Sequence, residues 1–183
     1  MTGGSPGPGG PETDEPERVR GRLLLDVMLG KLTTYLRMCG FDAAYAVDRG
    51  VEADARLLGI ARSEGRTLLT RDRRLANRRS DSVLLTTTAI DDQLRELEAA
   101  GFRLELDDSP TRCGRCNGRV EPVDGASPTA ADTADGGQAP DPPDYAPNPA
   151  EVDCWRCRDC DQWFWKGSHW DDVAARLDGL DDE

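Results

Sequence analysis

Between residues 18 and 107, apolar positions follow two alternating rhythms. Short apolar runs that read as buried strands are RLLLD (Arg22–Asp26), FDAAYAV from Phe41, TLLT (Thr67–Thr70), Ser82–Thr87 and Phe102–Leu106. Between them apolar residues recur at three- and four-residue intervals, the spacing of one helix face. Met28, Leu29, Leu32, Tyr35, Leu36 and Cys39 mark the first helix, Met28–Met38, with Gly40 as its C-terminal cap. Leu57, Leu58 and Ala61 mark a second over Ala53–Ser63, closed by Gly65. A charged helix follows over Arg73–Arg79, then one over Ile90–Ala100 with Leu94 and Leu97 inward. Strict alternation of strand and helix predicts an α/β fold, a mostly parallel sheet with helices on its faces.

The rhythm stops at Asp107–Pro110, and a compact module opens with CGRC, Cys113–Cys116. A Pro-, Ala-, Gly- and Asp-rich insert, 124–148, has almost nothing to bury and is expected to be disordered. The module resumes at Glu151, runs through CRDCDQWFWKGSHW and ends in a helix near Asp171–Leu177. The predicted organisation is a disordered tail over 1–17, an α/β domain over 18–108, a cysteine module over 109–178 and an acidic tail over 179–183.

Composition adds a setting. The 183 residues carry 35 acidic and 23 basic side chains, net −12, and only Lys31 and Lys166 are lysines. A solvated acidic surface suits concentrated salt, where screening blunts self-repulsion, so a halophilic cytoplasm is the expected location. A GC-rich genome would give a similar bias. No run approaches the roughly 18 apolar residues of a membrane span, and the first residues hold no apolar signal core.

Candidate chemistry begins at the strand ends. Asp26 and Asp72 each follow an apolar strand and precede a helix, and such positions share one edge of a parallel sheet, where open α/β sheets keep their ligands. Asp54 opens the second predicted helix, with Glu52 beside it, and Asp48 lies in the preceding loop. Clustered carboxylates repel unless they share cations, and oxygen-only ligands suit Mg²⁺ or Mn²⁺. Aspartate before a helix is equally a common N-cap, so the pattern admits both readings. Gly30, costly in a helix by about 1 kcal/mol, marks a close backbone approach or helix packing. Lys31 and Arg71, with Arg73 and Arg74, are either phosphate contacts or charge balance.

Cys113, Cys116, Cys157 and Cys160 form a CxxC…CxxC set that offers four thiolates to one structural Zn²⁺. The long spacer adds a closure cost that grows only as about (3/2)RT ln n. Cys154 sets up a competing register, CWRC, and Cys39 reads as core. His169, the single histidine, reads as a packing residue between Trp165 and Trp170, with ligand, base and RNA-contact roles open. Trp155, Trp163, Phe164 and Trp165 are expected mostly to form the module's core, with one or two left to stack on unpaired bases.

The stretches DVMLGKLTTYLRMCGFDAAY and DARLLGIARSEGRTLLTRDRRLA, with GSHW near the C-terminus, resemble the Mut-seven-C RNase family. The resemblance runs from Leu23 to Leu177 apart from the insert. It implies a PIN-like nuclease domain joined to a zinc ribbon, with metal-binding acids at Asp26, Asp54 and Asp72 and Asp48 or Glu52 as further candidates. It also favours Cys157 and Cys160 over Cys154.

The leading expectation is a Mg²⁺- or Mn²⁺-dependent ribonuclease (a hydrolase) whose catalytic, metal-binding residues are Asp26, Asp54 and Asp72. Lys31 and Arg71 steady the RNA phosphate, and the ribbon aids binding of RNA, the ribosome or another protein. The alternative is a non-catalytic RNA- or ribosome-binding adaptor. A phosphatase-type α/β site lacks its second acid, since that place is Met28.

Overall fold

A computed structural model describes residues 21–123 and 141–180. The expected tail over 1–17, positions 181–183 of the expected acidic tail 179–183, and positions 124–140 of the insert lie outside the described residues, whereas Leu180 at the start of that acidic tail is buried in the core. Leu23, Leu24 and Leu25 are fully buried, worth about 1.5–3 kcal/mol each. They form β1 (Arg22–Leu25), an inner strand of a four-stranded parallel sheet. Its partners are β2 (Asp42–Tyr45), β3 (Thr67–Thr70) and β4 (Ser82–Leu84), in the order β2-β1-β3-β4.

Side chains on a strand point alternately to opposite faces, and the core divides accordingly. Leu23, Leu25, Ala43 and Leu69 face α1 (Gly30–Met38) and α4 (Ile90–Ala99), whose Leu32, Leu36, Leu94 and Leu97 share one cluster with them. Leu24, Ala44 and Leu68 face Leu57, Leu58 and Ala61 of α2 (Asp54–Ser63) and Leu75 of α3 (Arg73–Ala76). The result is a parallel sheet between two helical layers. Gly40, at φ 81°, ends α1 as expected and turns the chain into β2.

Several boundaries differ from expectation. The chain after Asp26 first makes a tight 3-10 turn, Val27–Leu29, and α1 starts only at Gly30. The change of period takes Met28 off the inner face and leaves it half exposed. Strand β4 ends at Leu84, and α3 gives way to turns after Ala76. The expected strand Phe102–Leu106 is absent. Its alternation does bury Leu104, but Leu104 joins the cluster that holds Val173 and Leu177 of α5 (Ser168–Asp178). A helix offers no ladder of hydrogen-bonding groups, so no strand forms there. Helix α5 follows the cysteine module in sequence yet packs into the core of the parallel-sheet domain.

The module is an antiparallel sheet of β5 (Val120–Val123), β6 (Cys154–Cys157) and β7 (Trp163–Trp165), in that order. Residues 141–148 of the expected insert are irregular, with a turn at 144–146, and Tyr145 lies against Trp165 with ring centroids 6.4 Å apart. Among the described residues no helix is long and apolar enough to cross a membrane.

Candidate functional site

Strands β1 and β3 are hydrogen-bonded neighbours with Leu25 opposite Leu69, and Asp26 extends the ladder by donating its N–H to Leu69 O, 3.1 Å. The next residue of β3, Thr70, is completely buried. Its hydroxyl donates to Asp26 Oδ2 at 2.7 Å and accepts the backbone N–H of Asp72 at 3.0 Å. One hydroxyl therefore ties together the ends of both strands. Asp26, only 6% exposed, also accepts Val27 N–H on Oδ1 at 2.6 Å. Asp72 Oδ1 caps α3 through the N–H groups of Arg74 and Leu75, at 2.7 and 3.2 Å. Its Oδ2 has no hydrogen-bond partner among the described residues. Capping and ligation are thus compatible at Asp72, because each uses a different oxygen.

The remaining acids stand further apart. Asp54 is the first residue of α2 and half exposed, with Arg78 3.8 Å away. Asp48 pairs with the buried Arg37 at 2.8 Å, and Glu52 is exposed. Asp26, Asp54 and Asp72 do not gather into one compact group. Among the described residues, the group of three or more His, Cys, Asp or Glu side chains spaced to hold a metal is Cys113, Cys116, Cys157 and Cys160. Lys31 is exposed on the first turn of α1. Arg71 is half-buried, and its Nε is buried without a partner among the described residues.

Gly30 has a clear steric reason. A Cβ there would stand 2.8 Å from Tyr45 Oη, which donates to Val27 O at 2.7 Å and pins the turn that follows Asp26. Burial, and then the negative charges of Asp48 and Asp26, push the Tyr45 hydroxyl above its ordinary pKa. It stays a neutral donor across the working pH range.

The four cysteine sulfurs lie within 4.8 Å of one another, with Cys113 Sγ 3.6 Å from Cys160 Sγ and Cys116 Sγ 3.5 Å from Cys157 Sγ. Tetrahedral Zn–S bonds of about 2.3 Å would put sulfurs about 3.8 Å apart, so the set is positioned to hold a zinc ion. Backbone N–H groups of Cys116, Gly118 and Asp159 point at the sulfurs of Cys113, Cys116 and Cys157, each at 3.4 Å. The two knuckles match: Asn117 and Asp161, each just after the second cysteine of its pair, adopt φ of 69° and 59°, a region these two residue types tolerate better than most. A Cβ on Gly118 would strike the Asp159 carboxylate and Cys157 Sγ. Burial pushes the Cys113 thiol up to about 11 and the Cys116 thiol further. At Cys160 burial also raises the value, but the N–H of Gln162 and the neighbouring thiols bring it below the ordinary one.

Cys154 is buried in β6 outside this set, its thiol facing Pro147 O at 3.9 Å, so the later register, CRDC, is the one that converges. Cys39 is core, as expected. His169 is exposed at the start of α5, which departs from the expected packing between tryptophans and leaves it outside the cysteine set.

Three residues escaped the sequence reading. Thr70 had one visible signal, a hydroxyl in an otherwise apolar strand two residues before Asp72. Arg37 sits 3% exposed on the inner side of α1. It donates to Ala43 O at 2.9 Å, to the knuckle carbonyls of Gly114 and Arg115 at 3.2 and 2.9 Å, and to Asp48. Asn117 accepts Ala43 N–H at 2.9 Å and donates to Asp42 Oδ1 at 2.7 Å. Together Arg37 and Asn117 seat the first zinc knuckle on β2, covering a sheet edge that would otherwise stay open.

The family model described as Mut7-C RNAse domain matches residues 21–177, nearly the whole chain. Searches of curated proteins and of solved structures return no match.

Proposed function

We propose that this chain, which belongs to the Mut7-C RNAse domain family, is a metal-dependent ribonuclease whose reaction centre is the rim holding Asp26 and Asp72. The observation that carries the reading is the Thr70 bridge. A buried hydroxyl holds a nearly enclosed carboxylate and the backbone of a second acid at the C-terminal edge of a parallel sheet. A lone N-cap needs no such support, and burying Asp26 is costly without a cation or strong hydrogen bonds.

The donor set suits a hard divalent ion. Asp26, Asp72 with its unpartnered Oδ2, and Asp54 offer only oxygen, the ligand type of Mg²⁺ and Mn²⁺. When bound, such an ion supplies Lewis-acid stabilisation of phosphoryl oxygen and a more acidic water. Thr70 fixes Asp26 in one orientation. Asp54, on the exposed start of α2, would supply the third carboxylate. Lys31 and Arg71 flank the rim and meet the RNA phosphate. The zinc ribbon aids RNA binding, and the acidic, lysine-poor composition supports a halophilic cytoplasmic setting.

Asp26→Asn tests the reading. The variant should keep the wild-type fold and zinc content and lose Mn²⁺-dependent cleavage of a single-stranded RNA. Undiminished cleavage by the purified variant would sink it. Wild-type protein that binds RNA but cuts nothing with Mg²⁺ or Mn²⁺ would favour the adaptor reading.

A further inference from the structure

The zinc ribbon meets the parallel-sheet domain around a cavity of about 380 Å³, within the size range of small-ligand sites. Thr34 and Met38 of α1 form one wall, and Phe164, Trp165 and Trp170 form another, with Tyr145 leaning on Trp165 at an interplanar angle of 34°. The aromatic residues of the ribbon divide by burial. Trp155 is core; Trp163, although buried, lines this space together with the half-buried Phe164, Trp165 and Trp170. Basic side chains line it as well. Arg115 and His169 are exposed, and their side chains make no hydrogen bond or ion pair with any described residue. Lys166 Nζ stands 5.6 Å from the Trp170 ring centroid.

We propose that this cavity takes an unpaired nucleobase of single-stranded RNA, stacked on the tryptophan wall, with Arg115 and His169 meeting the adjoining phosphate. Flat aromatic walls suit a base, because every base offers a π-face and stacking tolerates any sequence. Net charge favours the same occupant. A chain at −12 gains little from general phosphate attraction, which salt weakens further, so stacking has to carry most of the affinity. Placement fits as well. At about 1.5 Å rise per residue, Thr34 and Met38 lie about 4.5 and 10.5 Å along α1 from Lys31. One strand can therefore occupy the cavity and continue to the carboxylate rim. The identity of the polymer rests on the ribonuclease reading above; the aromatic cavity does not.

The test measures binding apart from cleavage. Full-length, zinc-loaded Asp26→Asn protein, free of added divalent ions, is titrated with a single-stranded hexauridylate and with an RNA duplex of equal length, reading tryptophan fluorescence. The single strand should bind and quench; the duplex should do neither. Arg115→Ala, which removes no side-chain hydrogen bond or ion pair to a described residue, and Trp170→Ala should each weaken the single strand roughly 5- to 100-fold at unchanged zinc content. Trp170→Phe, which keeps a stacking face, should restore most of the loss. Equal affinity for duplex, or affinity unchanged in both alanine variants, overturns the proposal. Binding that appears only after residues 124–140 are deleted overturns it too, assigning the cavity to the chain's own insert. If wild type cleaves RNA while the cavity variants bind normally, the cavity reading alone has failed. If the variants lose binding and wild type never cleaves, the nuclease reading alone has failed.

Discussion

Thr70→Val is the sharpest probe of the carboxylate rim, because valine keeps the shape of threonine and removes only the hydroxyl. Two hydrogen bonds go with it, one to Asp26 Oδ2 at 2.7 Å and one from Asp72 N–H at 3.0 Å. The first serves a charged acceptor that is 6% exposed, and such bonds contribute about 1.5–3 kcal/mol. The second leaves a half-buried N–H unpaired, at a cost of about 1 kcal/mol, the low end for an unsatisfied group. The sum is a destabilisation of about 2.5–4 kcal/mol. Equilibrium urea unfolding with zinc in place measures it, as a lower midpoint at constant slope. Initial rates of RNA cleavage against Mn²⁺ concentration supply the second readout. An Asp26 carboxylate freed to rotate should require more metal for half-maximal activity. A midpoint within about 0.5 kcal/mol of wild type, together with an unchanged metal response, would refute the claim that Thr70 organises the site.

The other predictions concern the junction, the zinc and acid. Arg37→Met keeps the aliphatic stem but strips four hydrogen bonds. Discounting the half-exposed Asp48 pair, the loss should be about 2–4 kcal/mol, and proteolysis should become faster around 107–118. Cys116→Ser should cut bound zinc from one equivalent per chain to a weakly held fraction in a metal assay, and a strong chelator should reproduce the effect in wild type. Acid acts at the other end of the strands. There, burial would raise Asp42, but hydrogen bonds from Arg66 and Asn117 hold its carboxyl well below the usual range. Hydrogen bonds from Arg49 and Arg66 lower Glu64 from 4.5 to about 2. Both folded values lie below the unfolded ones, so their stabilisation is full above the unfolded pKa and fades as pH falls. The stability difference between wild type and Asp42→Asn should therefore stay constant from pH 7 to about 5 and shrink below about 4. A difference that grew on acidification would contradict the assignment.

Local sequence carried most of the architecture. Leu23–Leu25 and Thr67–Thr70 form strands because runs so short and apolar can satisfy backbone and side chains only inside a sheet. The helices of residues 30–38, 54–63 and 90–99 form because their inward residues recur with the helical period. The zinc knuckles were legible for a similar reason. CxxC spacing is a local geometric requirement, and it survives an insert of any composition. The same periodicity misled at Phe102–Leu106, where alternation reported burial of Leu104 but not the neighbour that buries it, and at Met28, where a 3-10 turn broke the helical phase.

What the sequence could determine by itself was whatever depends on residues near one another in the chain: strand and helix period, the paired cysteines, an aspartate at the end of each of two strands, and the motifs that match the family. Tertiary structure alone decided which of these meet. It put β1 beside β3, so that a threonine 44 positions from Asp26 could bond to it. It set Arg37 and Asn117 as the seat of the zinc knuckle, and it sent α5 back past the ribbon into the first core. Each is a contact between distant segments, fixed by packing of whole layers rather than by any local pattern. The rim also shows the limit of the sequence pattern. Asp26 and Asp72 are joined because β1 and β3 are adjacent, whereas Asp54 stands apart because its helix begins in solvent.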